Sequence, residues 1–410
     1  MISVGCDCTP EALAIAIYSR DAFGRFRTSE PVTLADITHA FDINPLSISE
    51  LTATGATSTY QQDESAVDMN VTTTVGSRIV RQSRRYFVYQ AGKSLLIFQT
   101  GVLTDDATNT GVRSRIGYFD DDNDKSVDAG GNGFFFQYYN NVLSVVKRSF
   151  VTGAQVDTVI PQSSWNIDKL DGTTDSGITI DVEKAQIFFM DLEWLGVGSV
   201  RLGVVINGVP YYVHQFNHAN VEETTYMTRA ILPVRYEIEQ VNGGVAGQMK
   251  MVCMSVSSEG GHNPSGRQFG YVLNNTVTVN TTEEAILAIR PRAGYERVTM
   301  NTLLYHLGST TNDTFVYRAY VGSTVTGGAW ANVNADSAAE VNTTMTAFSG
   351  GRAVDVGIVS AQTRGARSEA PLLETFGADI DGTPQLIVLT AQNLAGAVNV
   401  VRGMTWEEIW

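Results

Sequence analysis

From about residue 67 the apolar residues recur with a period of two in short stretches, the pattern of half-buried strands rather than helices. RRYFVYQ, KSLLIFQTG, RSRIGYF, GFFFQYY and VLSVVKR are followed by AQIFFMDLEW, SVRLGVVI, VPYYVHQF, PVRYEIEQ and GQMKMVCMSVSS, with Gly, Asn and Asp turns between them. Asn207-Gly208, between VRLGVVI and VPYYVHQF, predicts a two-residue hairpin, because both positions tolerate positive φ. The text then changes to SSEGGHNPSG at residues 257–266, a linker signal. Strand-like stretches resume after it with TVTVNTT, AILAIRPR, RVTMNTLLYHLG, TFVYRAYVG and PQLIVLTAQ. Many short strands at this spacing predict an all-β chain of two β-sandwich, jelly-roll-like domains, at residues 21–260 and 261–410.

The first twenty residues read differently. Thr9 suits an N-cap, Pro10 the first helical position and Glu11 the positive end of the helix dipole. Leu13, Ile15 and Ile17 then make an apolar surface on about two turns, too short to be stable undocked. Residues 1–20 are therefore expected to form a short helical docking arm. At the other end MTWEEIW holds Trp406, Ile409 and Trp410, which serve either as a last core strand or as an anchor for a partner. These six apolar residues are the candidate subunit contacts.

Composition narrows the partners. The chain has 410 residues, 43% of them hydrophobic, enough for two cores and too apolar for disorder. A net charge of −15 argues against a phosphate backbone as partner, since that needs clustered Lys and Arg. No basic amphipathic helix points to a membrane surface, and no apolar run approaches the roughly 20 residues of a membrane-spanning helix. MISVGCDCTP lacks the features of a signal peptide. Cys6, Cys8 and Cys253 are too few for a disulfide framework, and no His or Cys near the first two completes a metal site. Only 17% of residues are charged, against roughly 25% on average, and the six lysines all lie between Lys93 and Lys250. Arginine supplies every positive side chain beyond that point, and arginine suits ordered, partly desolvated contacts between subunits.

Several fragments imitate chemical motifs. Gly92-Lys93-Ser94 resembles the end of a phosphate-binding loop, but Phe87 stands where the first glycine belongs and a strand follows, not a helix. His214 and His218 have the spacing of a zinc-protease helix. Gln215 replaces the general-base Glu, and on a strand the two histidines lie about 13 Å apart; they read as polar residues at a strand end near the surface. Asp191 and Glu193 share one face of a strand, about 7 Å apart at Cα, a spacing compatible with paired glycosidase carboxylates. A cross-strand pair with Arg201 accounts for the charges as well, and Trp194 points to the opposite face. Asp120-Asp121-Asp122-Asn123-Asp124 alternates carboxylates as a calcium loop does. Lys125 and Gly131 occupy the positions that need Gly and Glu, leaving a looser surface Ca²⁺ site or a solvated acidic hairpin loop. The sequon Asn280-Thr281-Thr282 is expected by chance in a chain rich in Asn and Thr. No cofactor is implied.

DAFGRFRTSEPVTL, RQSRRYFVYQAGKS, the long stretch SGITIDVEKAQIFFMDLEWLGVGSVRLGVVINGVPYYVHQFNHAN, LPVRYEI and VSSEGG resemble a family of structural proteins of tailed bacteriophages, marine ones among them. The resemblance covers roughly residues 21–260, and more weakly the C-terminal block, and implies a place in the virion, with no catalytic residues to transfer. VRLGVVINGVPYYVHQF also resembles the paired strands of concanavalin-type jelly rolls, a likeness of fold only. The leading expectation is thus a non-enzymatic virion component, made in the host cytoplasm, that assembles with itself and with other virion proteins. The alternative is a receptor-binding protein or adhesin that takes host surface glycan through its jelly roll. A glycan depolymerase relying on Asp191 and Glu193 is the third.

Overall fold

The computed structural model describes residues 30–121, 131–263, 266–310, 313–360, 366–368 and 375–409. The expected N-terminal helix, with Leu13, Ile15 and Ile17, lies outside the described residues, as do Cys6, Cys8 and Trp410. The regular structure of the described residues is nearly all strand, and the paired strands are antiparallel.

One eight-stranded sheet runs in the order Val209–Phe216, Val200–Ile206, Gln186–Leu192, Leu95–Val102, Gly247–Ser258, Ala66–Val71 and Thr57–Gln61, with Val32–Thr38 also paired to Gly247–Ser258. A seven-stranded sheet has the order Val156–Pro161, Val142–Ser149, Gly133–Tyr139, Val112–Phe119, Val234–Gln240, Arg78–Ser83 and Ile48–Ala53. Alternation makes each strand two-faced. In Gln186–Leu192 the residues Phe188, Met190 and Leu192 enter the core, leaving Phe189 and Asp191 on the opposite face. Ile97, Leu202 and Met254 of the first sheet share that core with Ile116, Phe136 and Ile238 of the second, so the sheets pack as a sandwich. Each such side chain contributes about 1.5–3 kcal/mol by leaving water. Polar links cross the layer: the Tyr236 hydroxyl donates to the carbonyl oxygens of Cys253 (2.7 Å) and Thr100 (3.1 Å), and Gln99 Nε2 donates to that of Arg235 (3.1 Å).

The predicted hairpin forms at Asn207-Gly208, with φ of 53° and 80° and Ile206 paired to Val209. RRYFVYQ does not make a full strand; only Phe87–Val88 pairs, with Ile231–Leu232. Strands also precede residue 67, at Val32–Thr38, Ile48–Ala53 and Thr57–Gln61.

The C-terminal block builds two six-stranded sheets. One is centred on Val398–Ile409 between Arg267–Val272 and Thr299–Ser309; the other contains Glu284–Pro291, Ile387–Asn393, Phe315–Thr326 and Ala347–Val359. Leu287, Leu389, Tyr305 and Trp406 meet in a second apolar core. No described strand here pairs with one of the preceding block, and the change of sheets falls between Ser258 and Arg267. Trp406 is fully buried in this core and its indole N–H donates to Glu408 Oε1 at 2.9 Å, the placement of a last core strand; Ile409 is half-buried at the strand's end.

Desolvated arginine is found inside the chain itself. Arg81, Arg148, Arg235, Arg297 and Arg402 are all buried. On the outer side of the seven-stranded sheet, Arg115 and Arg235 reach Glu237 at 3.1 and 2.7 Å and lie over the rings of Phe135 and Phe119. Desolvation pushes the Glu237 carboxyl up, but the guanidiniums of Arg78, Arg235, Arg115 and Arg113 outweigh it and hold the group well below the usual carboxylate range.

Candidate functional site

The site begins where the strand Gln186–Leu192 ends. Asp191 faces Leu96 on one neighbouring strand and Arg201 on the other, and the Arg201 guanidinium forms an ion pair with its carboxylate. The same guanidinium lies 4.7 Å from the Tyr212 ring centre, so it is fixed from two sides. Tyr212 meets Phe189 edge-on at 5.0 Å, and Phe189 lies 5.9 Å from Phe98, a row of rings across the outer face of the eight-stranded sheet. Gly203 makes this row possible. A Cβ there would sit 2.2 Å from Phe189 Cζ, inside the space the ring occupies.

Beyond Leu192 the chain makes a tight loop. Glu193 N donates to Ser199 O at 3.1 Å and Gly198 N to Trp194 O at 2.7 Å, with Leu195 and Gly196 at positive φ. Trp194 packs partly buried against the core and meets Tyr89 edge-on at 5.9 Å. His218 and Tyr226, stacked at 3.8 Å, hold the loop: His218 Nδ1 donates to Gly198 O at 2.7 Å and the Tyr226 hydroxyl to Glu193 O at 3.2 Å.

Asp191, Glu193 and Glu259 then line one open pocket of about 340 Å³ together with Tyr89, Lys93 and Arg201. Ser94 Oγ donates to Glu259 Oε2 at 2.9 Å, and Lys93 Nζ donates to Gln90 Oε1 at 2.8 Å. The Tyr89 hydroxyl is buried without a hydrogen-bond partner. Its acidity is lowered first by burial and then by the Glu193 charge, against the opposing pull of nearby backbone amides, so it stays a protonated donor at neutral pH. The pocket therefore offers three carboxylate acceptors beside hydroxyl, ammonium and guanidinium donors. That mixture suits a ligand rich in hydroxyl groups.

The expected cross-strand pair of Asp191 with Arg201 forms, whereas Glu193 lies beyond the strand's end, in the loop, and reaches the same pocket from there. Glu259 carries no sequence signal: it sits in the SSEGG stretch, and nothing in that stretch marks its approach to Ser94. Gly92-Lys93-Ser94 is no phosphate loop: Gly92, at φ 80°, turns the chain into the pocket wall. The histidine reading needs correction. His214 and His218 are 7% and 2% exposed, packed among Phe216 and Tyr226 rather than near the surface. Asp120 and Asp121 are buried and committed, the first to Arg297 and the Asn132 amide, the second to Arg148; residues 122–130 lie outside the described residues. Cys253 is a free, half-buried thiol. Among the described residues no group of three or more His, Cys, Asp or Glu is arranged to hold a metal ion, and no helix is long and apolar enough to cross a membrane.

No family model and no curated protein matches the sequence. Solved structures similar to it include a β-glucanase of Bacillus licheniformis, 8% identical, TM-score 0.35, over 57% of this chain and 99% of that one. An endo-1,3-β-glucanase from Streptomyces sioyaensis is 11% identical with a TM-score of 0.37, over 58% and 99% of the two chains. A lectin from Bauhinia forficata in complex with GalNAc is 10% identical with a TM-score of 0.32, over 56% and 98%. At these values the likeness concerns the arrangement of sheets alone. The expectation of a non-enzymatic virion structural component is nonetheless corrected: the similar structures are glucanases and lectins, and neither the purely structural role nor the exclusion of catalysis is kept.

Proposed function

We propose that the pocket at Asp191, Glu193 and Glu259 binds carbohydrate, making the chain a glycan-binding protein. The observation that carries this reading is the convergence of Asp191, Glu193 and Glu259 with Tyr89, Ser94, Lys93 and Arg201 in the lining of one open cavity. Sugar hydroxyls both donate and accept, so a mixed set of fixed charged partners recognises them better than a single-sign patch does. The resemblance of residues 21–260 to tailed-phage particle proteins extends the proposal to host attachment at a virion surface. Glycan-array binding by the full chain tests it. Binding to at least one host-type polysaccharide is expected, weakened about tenfold or more by Glu193→Gln or Glu259→Gln. No binding to any glycan, or binding unchanged in both variants, would overturn it.

A second reading is favoured by one further observation: Asp191 and Glu193, two residues apart, both line this cavity. Such a pair of carboxylates can protonate a glycosidic oxygen and attack, or activate water, at the anomeric carbon. Release of reducing ends from a bound polysaccharide tests this. Cleavage abolished in Asp191→Asn and Glu193→Gln supports it, and cleavage unchanged in both removes it.

A further inference from the structure

The C-terminal block holds a separate cavity of about 170 Å³, whose lining includes Arg290, Arg292, Glu296, Glu340 and Pro384. Glu296 is only 3% exposed. Its Oε1 accepts from the Gly294 amide at 2.8 Å, which fixes the carboxylate, while Oε2 is buried with no partner in the protein. Arg292 stands beside it. Its guanidinium lies 4.3 Å from the Tyr295 ring centre and donates to the Tyr295 hydroxyl at 2.8 Å, whereas Nε is buried with no acceptor. Two residues of one cavity's lining thus each keep a buried polar atom with no partner in the protein, and such atoms call for an explanation.

The charges select what that is. Two guanidiniums and two carboxylates line the cavity, so a ligand cation meets Arg290 and Arg292 and a ligand anion meets Glu296 and Glu340. A divalent metal needs about six oxygens, and Glu340 already accepts from Arg290 Nε at 2.5 Å. An uncharged group that donates and accepts side by side answers both open atoms. We propose that this cavity is a second saccharide-binding site, in which Glu296 Oε2 accepts from one hydroxyl of a neighbouring pair and the Arg292 guanidinium donates to the other. Arg290 and Pro384 also wall an adjoining cavity of about 410 Å³, where Trp330 offers a ring 4.0 Å from the Arg290 guanidinium. A saccharide longer than one ring has room to continue there. The carbohydrate reading of the first pocket supplies only the ligand class; no residue is shared, so either site can fail alone.

The test is a titration of the full chain with methyl β-glucoside, methyl β-galactoside and methyl α-mannoside, read from the amide resonances of Gly294, Glu296 and Gly382. At least one glycoside is expected to shift them. Glu296→Gln, which keeps the oxygen facing Gly294, is expected to weaken that binding about tenfold or more, and Glu193→Gln to leave it unchanged. Should Glu296→Gln fold poorly, Arg292→Lys removes the planar fork while keeping the charge and is expected to weaken binding similarly. If none of the three glycosides moves these resonances, or if binding is unaltered in whichever of the two variants folds, the open atoms are met by water alone and the proposal falls.

Discussion

The Tyr226 hydroxyl donates to the backbone oxygen of Glu193 across 3.2 Å, while its own amide donates to Gly196 O at 3.1 Å. One residue thus grips, at two points, the turn that carries a pocket carboxylate. Tyr226→Phe removes only the first bond and leaves the stack on His218. The expected stability loss is about 1 kcal/mol, the net worth of one hydrogen bond. Glycan affinity should fall by more than this modest loss of folding explains, since the protein stays folded while Glu193 is less well placed. Binding equal to wild type in a folded Tyr226→Phe protein would show that the grip does not matter to the site.

Four histidines are held below their ordinary pKa, with burial the leading cause at each: His39, His214, His218 and His262. At His262 the Arg85 and Lys93 charges act in the same direction. Around His218, Lys147 lowers the value further while the Gly198 hydrogen bond and Glu222 oppose it. The unfolded chain therefore takes up these protons first. Above about pH 6.5 both states are neutral there and the histidines contribute nothing to pH dependence. As pH falls below about 6.5, stability should drop, with a limiting slope of about 1.4 kcal/mol per pH unit for each histidine, until the folded state also protonates. Urea unfolding from pH 7.5 to 5 measures this. His218→Gln should lower stability at neutral pH yet flatten the slope; an unchanged slope would remove His218 from the set.

The extent to which these features were legible follows from the physics of strands. In Leu95–Val102 burial alternates strictly, and the unbroken apolar run Leu95–Phe98 is what marks the stretch as a strand in the sequence. Thr57–Gln61, with sequence TSTYQ, has too little apolar contrast to register, and its pairing with Ala66–Val71 is what makes it a strand. The Asn207-Gly208 hairpin was readable because backbone conformation there depends on two residues only. Asp191 and Arg201 were readable because that hairpin-rich region pairs neighbours in sequence. Glu259 and Tyr89 join them only through pairings between strands far apart in the chain, as do Glu296 and the glycine loop at Gly382, and no local spacing encodes such meetings. The burial of His214 and His218 is not legible for a related reason: alternation gives the face of a side chain but not what covers it.

Gly203 is in an ordinary strand conformation, so its requirement is one of space rather than of backbone. A methyl group there would meet Phe189 Cζ at 2.2 Å and Tyr211 O at 2.5 Å. Gly203→Ala should cost about 1–3 kcal/mol through forced displacement of the ring. Moving Phe189 also moves Tyr212, its edge-on neighbour, and with it the support under Arg201. Thermal unfolding gives the first effect and glycan titration the second. A variant as stable as wild type would mean that the ring relaxes freely, against the close packing described.

Arg297 of the C-terminal block and Asp120 of the preceding one form an ion pair buried on both sides, 5% and 2% exposed, with Arg297 Nε 3.0 Å from Asp120 Oδ2. Asp120 Oδ1 accepts from the Asn132 amide at 2.9 Å, so the carboxylate is fixed from its own side before the arginine arrives. A buried pair contributes little over apolar substitutes, but removing one member strands the other charge away from water. Arg297→Met should therefore cost about 3–5 kcal/mol. Asp120→Asn keeps the oxygen that faces Asn132 and should still be costly, because the buried guanidinium then loses the Asp120 charge. Combining the two removes the stranded charge in both directions, so the double variant should be more stable than the sum of the single losses predicts, with a coupling of at least about 1 kcal/mol. Urea denaturation of the four proteins closes this cycle. Strict additivity would mean that the two residues do not sense each other in the folded chain, and that the blocks meet without this contact.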